Sequence, residues 1–109
     1  MIDWAHLHQI TDDNPAFEVE LLKLFMADTH TQIKSLKRAI ALEDFFEVEQ
    51  IAHHIKGASA NIGVTPIHLT ASSLEEQAFC KEVATIDQFT ENLEQTLDQL
   101  EELIKSLSS

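Results

Sequence analysis

A chain of 109 residues with a formal net charge of −12 at pH 7 is the size of one domain, able to bury a single core without disulfide or metal staples. Such a charge argues against nucleic acid as a partner and for a protein with a basic patch, although solvated acidic helix faces account for it equally well. The single cysteine, Cys80, excludes an internal disulfide; with no apolar run near the ~20 residues of a membrane span and no basic leader, the expected location is the cytoplasm.

Two glycines, two prolines, no tyrosine and no strand-like alternation predict an all-α fold. Asp3 is placed to cap a short helix through Trp4, Leu7 and Ile10, which the stretch Thr11 to Pro15 breaks. Asn14 as N-cap and Pro15 in the first turn then start a long helix to about Ala41. Its expected stripe is Phe17, Leu21, Leu24, Phe25, Ile33, Leu36 and Ile40, interrupted by Asp28 and Thr29. Asp44 with Glu47 forms a predicted capping box for the next helix. Val48, Ile51, Ala52, Ile55, Ser59 and Ile62 make its buried face, and Gly63 ends it. Thr65 and Pro66 repeat the cap-plus-proline start for a stripe of Ile67, Ala71, Leu74 and Ala78. After a turn at Lys81 to Ala84, Thr85 and Gln88 offer another capping box. Ile86, Phe89, Leu93, Leu97, Leu100, Ile104 and Leu107 then recur at 3–4 spacing, leaving Ser108 and Ser109 as a frayed tail. Short links force antiparallel neighbours, so the expected architecture is an antiparallel up-down-up-down four-helix bundle with a short extra N-terminal helix, one domain over residues 1–109.

The third of these helices carries the chemistry. On a helical wheel His53 lies about 160° from the centre of the apolar face, toward solvent. Gly57 and Ala60 share that face one and two turns onward, and Phe46 lies on it seven residues earlier. A neutral imidazole is a nucleophile near pH 7. Lys56, at i+3, places an ammonium within reach of a group bound on His53; spacing alone favours the plainer reading of a solvated helix lysine. Gly57 costs about 0.5–1 kcal/mol relative to alanine in a helix, which clearance for a partner surface offsets; another helix packed against it is the competing explanation. Phe46 is either an exposed docking residue or a first-turn residue tucked against the loop. His54 falls on the flank, about 100° from the core centre.

The pattern Ala52-His53-x-x-Lys56-Gly57, followed by Gly63, resembles the histidine-containing phosphotransfer (HPt) domains of two-component phosphorelays, over essentially the whole chain. That family has a helical bundle as its core. The resemblance implies that His53 accepts a phosphoryl group from a receiver-domain aspartate and passes it to another response-regulator aspartate. The family's histidine precedes its lysine by three, which selects His53 over His54. An acidic or amide side chain on the following helix, 22 residues after the histidine, can hold one ring nitrogen so that the other attacks; that position is Glu75. The implied partners are receiver domains of response regulators or of hybrid sensor histidine kinases. The receiver brings Mg²⁺, and the chain needs no cofactor of its own.

Neither a phosphate-binding G-x-x-x-x-G-K-[ST] loop nor a dinucleotide fingerprint occurs, so no ATP-dependent kinase activity is expected. His6 and His8 do not share a helix face, His53 and His54 diverge, and there is no H-E-x-x-H, so no metal site is expected. Two other readings stand beside phosphotransfer: a non-catalytic adaptor that binds receivers, and the phosphotransfer module of a larger hybrid kinase. A monomer is the default state.

Overall fold

The computed structural model describes residues 1–108 and contains five helices: α1 (Trp4–Thr11), α2 (Pro15–Ala41), α3 (Phe45–Ile62), α4 (Thr65–Cys80) and α5 (Val83–Ser108). Three begin where their caps predict. The side chains of Asp3, Asn14 and Asp44 accept from the backbone N–H groups of His6, Phe17 and Glu47 at 3.1, 3.1 and 3.2 Å. The capping box at α3 is only half made, because the N–H of Asp44 donates to the carbonyl of Ala39, 2.9 Å away. Gly63 caps α3 at a left-handed φ of 83°. A side chain there would be strained, and its Cβ would lie 3.2 Å from both Cβ and the carbonyl oxygen of Asp3.

Two starts differ from expectation. α4 is capped by Val64, with no side-chain cap bond, so Thr65 and Pro66 lie inside its first turn. Val64 is fully buried and bridges Ile2, which directs the chain into α4 without a polar cap. α5 begins at Val83, so Thr85 and Gln88 are interior and form no capping box; the reversal is made by Lys81, with φ 59°. At the C-terminus Ser108 belongs to α5, its hydroxyl donating to the carbonyl of Ile104 at 2.8 Å, and Ser109 lies outside the described residues.

The core stripe of α2 runs Glu18, Leu22, Phe25, Thr29, Ile33, Leu36 and Ile40, all buried, while Phe17 and Leu24 are exposed. Polar Glu18 and Thr29 occupy core-facing positions, so hydrophobicity alone draws the N-terminal stripe one residue off. Glu18 is tolerated because the His8 imidazole and the Thr11 hydroxyl both donate to its carboxylate. Those bonds, His8's first, hold the Glu18 carboxyl below the ordinary carboxylate range. Ile62 and Phe89 are partly buried and Leu107 is exposed, at the fringes of the expected faces.

α2 packs on α3 and α5, and α4 packs on the same two, closing a ring around one apolar core that includes Leu22, Leu36, Val48, Ile55, Leu74 and Leu97. Asp28 meets His54 while Ala39 meets Asp44, so α2 and α3 run in opposite senses. Glu75 meets His53 while His68 meets Lys56, which sets α3 and α4 likewise. α1 lies across the α2–α3 end of a rod 42 × 23 × 17 Å in extent. Leu7 anchors it in the core, and the N–H of Asp3 donates to the carbonyl of Gly63 at 2.8 Å. No helix among the described residues is long and apolar enough to cross a membrane.

Candidate functional site

His53 stands midway along α3 with its side chain 72% exposed. From α4, Glu75 reaches outward and its Oε2 accepts from Nδ1 of His53 at 2.7 Å. The wheel places His53 nearly opposite the core, yet a glutamate on the flank of the neighbouring helix is long enough to close the gap. Lys56, one turn along α3, donates from Nζ to Oε1 of the same carboxylate at 3.4 Å. Partial burial pushes the Glu75 carboxyl up; the hydrogen bonds from His53 and Lys56, with their charges, outweigh it and hold the group below the ordinary range.

An ionised carboxylate can only accept hydrogen bonds. Nδ1 of His53 therefore carries the proton of that bond, and in the neutral ring the lone pair is on Nε2. The arrangement offers an oriented nitrogen nucleophile, a cation beside it, and open space above.

That space is a property of the neighbouring residues. Gly57 and Ala60 are exposed, and a Cβ added at Gly57 would meet nothing within 4 Å. No helix packs against Gly57, which removes the competing explanation for a glycine there. Phe46 is 70% exposed, which excludes the tucked alternative. His54 faces α2 instead: its Nε2 donates to Oδ2 of Asp28 at 2.9 Å. His53, Lys56 and Glu75 thus form one hydrogen-bonded group, with Gly57, Ala60 and Phe46 on the exposed face beside it and His54 on the flank.

Three participants escaped the sequence reading. Phe79, 79% exposed on α4, lies along the same groove as Glu49 and Glu75. Its spacing one turn after Glu75, off the apolar stripe, was an available signal. Asp28, read only as an interruption of a stripe, anchors His54. His68 donates from Nδ1 to the carbonyl of Lys56 at 3.1 Å, tying α4 to the turn that presents the ammonium. Among the described residues no group of three or more His, Cys, Asp or Glu side chains is placed to hold a metal ion.

A solvent-facing histidine gripped by a carboxylate from the next helix of a helical bundle marks the class of histidine phosphotransfer modules. The chain belongs to the Hpt domain family, whose profile matches residues 20–108. Its fold is similar to the crystal structure of histidine-containing phosphotransfer protein B (HptB) from Pseudomonas aeruginosa PAO1, with a TM-score of 0.82 and 26% identity over 96% of this chain and 91% of that one. It also shares the fold of a rice protein provisionally described as a histidine-containing phosphotransfer protein, with a TM-score of 0.70 and 19% identity over 99% of this chain and 84% of that one. No curated protein matches the sequence. Family membership carries a role in histidine phosphotransfer within phosphorelays and interaction with receiver domains.

Proposed function

We propose that His53 is the phosphoryl acceptor, taking the group from an aspartyl phosphate of one receiver domain and passing it to the aspartate of another. The observation that carries this reading is the 2.7 Å bond from Nδ1 to Glu75, which leaves Nε2 as the free nucleophile on an exposed ring. The Nε2 lone pair attacks phosphorus in line with the aspartyl oxygen. An N–P bond forms, the P–O bond breaks, and the aspartate carboxylate leaves with the electron pair. The Nδ1 proton stays on its bond to Glu75, which stabilises the positive charge that develops on the ring. The return step is the same sequence reversed toward the second aspartate.

Lys56 offsets the charge that the phosphoryl group adds. Gly57 and Ala60 give the receiver backbone clearance, and Phe46 supplies apolar docking surface. The receiver contributes Mg²⁺, which neutralises the transferring oxygens. The protein works as a monomer that meets its receivers in the cytoplasm.

The test is incubation with purified receiver domains charged by a small acyl phosphate, reading acid-labile phosphate on this chain. Wild type and His54→Gln acquire label and His53→Gln does not. Retained label in His53→Gln overturns the assignment, and an unlabelled wild type that still binds receivers favours the adaptor reading.

A further inference from the structure

Toward the start of α3 and the end of α4, the face bearing His53 continues into a groove that extends past Phe46 and Glu75 to residues given no role above. Phe46 and Phe79 line one stretch of it together with Glu43, Asp44 and Glu49. Glu49 and Phe79 line the next stretch with Glu75 and Glu76. Because Glu49 and Phe79 belong to both, the groove is continuous as far as the carboxylate that grips His53. One exposed aromatic ring is ordinary; two on one groove beside a reactive histidine form a patch that core packing does not explain.

The charge around the two rings is one-sided. Glu43, Asp44, Glu49 and Glu76 form no ion pair among the described residues, and Lys81 is the one ammonium lining the first stretch. Resting on the phosphotransfer reading above, we propose that this groove selects the receiver: it takes an apolar side chain of the receiver's docking face, flanked there by lysine or arginine.

The two parts of the patch do different work. Aromatic anchors that become fully covered supply most of an interface's affinity. Rim charges set the encounter rate and repel partners of the same sign, so a receiver with an acidic collar is turned away. Continuity with Glu75 gives the groove a register. Phe46 lies two helical turns from His53, about 10.5 Å along the axis. A single docking face spans both, and seating the apolar side chain sets where the receiver's aspartate stands relative to Nε2.

The test compares wild type, Phe79→Ala, the charge-reversed Glu49→Lys/Glu76→Lys, and Leu69→Ala, an exposed apolar residue nearer the other end of α4. Each is labelled with phosphoramidate, a donor too small to need docking, and separately with a charged receiver that labels wild type. The readout is the ratio of the two rates. That ratio falls about tenfold or more for Phe79→Ala and for the charge reversal, and holds for Leu69→Ala. Added NaCl slows receiver transfer to wild type more than to the charge-reversed variant. A labelled wild type with unchanged ratios in both groove variants sinks this proposal alone. A wild type that no receiver labels sinks the phosphotransfer reading and this proposal with it.

Discussion

Oε2 of Glu75 sits 2.7 Å from Nδ1 of His53, across the gap between two helices, and that bond decides which ring nitrogen is free. Removing the carboxylate lets both tautomers populate and withdraws the countercharge from the developing imidazolium. Glu75→Ala is therefore expected to slow transfer from a charged receiver by about 10–100-fold, by analogy with the loss of a carboxylate that orients a metal-bound imidazole. Glu75→Gln, whose carbonyl still accepts from Nδ1, falls between Ala and wild type. Nitrogen chemical shifts of the His53 ring report the tautomer directly, and a Glu75→Ala ring that stays protonated at Nδ1 alone contradicts the argument.

Replacing Gly57 separates folding from function. The added methyl meets nothing within 4 Å, so Gly57→Ala is expected to raise stability by about 0.5–1 kcal/mol, the helix-propensity difference. On the docking proposed above, the same methyl would stand in the path of the receiver backbone, so the receiver-to-phosphoramidate rate ratio is expected to drop. Urea melts and the two labelling rates measure both effects; a stabilised variant with an undiminished ratio removes Gly57 from the docking surface.

Gly63 behaves oppositely. At φ 83° with Asp3 pressed against it, Gly63→Ala is expected to destabilise by about 1–3 kcal/mol. The loss concentrates where α1 is clasped, so amide exchange in α1 accelerates before that of α3 and α5.

Acid should weaken the fold in a defined window. Glu18 and Glu75 both titrate below their ordinary value of 4.5 in the folded chain. A carboxyl lowered on folding stabilises above its unfolded pKa, and that contribution disappears as pH falls through the folded value. Stability is thus expected to drop as pH decreases from about 5 through the range below 4.5. Glu18→Gln flattens that dependence while lowering stability at pH 7, because its bond to His8 loses its ionic character. Denaturant midpoints across pH read the slope, and an equal slope in Glu18→Gln refutes the attribution.

Helix number, order and most boundaries were legible because Asp3, Asn14, Asp44 and Gly63 are local devices whose geometry depends on few distant residues. Val64 was not legible as a cap, since its role comes from burial against Ile2, a pairing remote in sequence. The stripe of α2 was misplaced for a related reason. Glu18 reads as polar surface until His8 and Thr11, from another helix, satisfy it inside. At the site, spacing on one helix places His53 and Gly57 on a shared exposed face, whereas Lys56 reads as a solvated lysine until the family motif singles it out. Glu75 came from family resemblance and Phe79 was missed, because a groove between two helices is set by how they pack.

His53 and His54 are adjacent, yet the carboxylates grip opposite nitrogens: Nδ1 in the first ring and Nε2 in the second. Each ring consequently bears its own isomeric signature. Phosphorylation of His53, as proposed above, would yield the Nε2 phosphoramidate, whereas modification of His54 would yield the Nδ1 form. Phosphorus resonances of the unmutated protein would name the reacting ring without a single substitution.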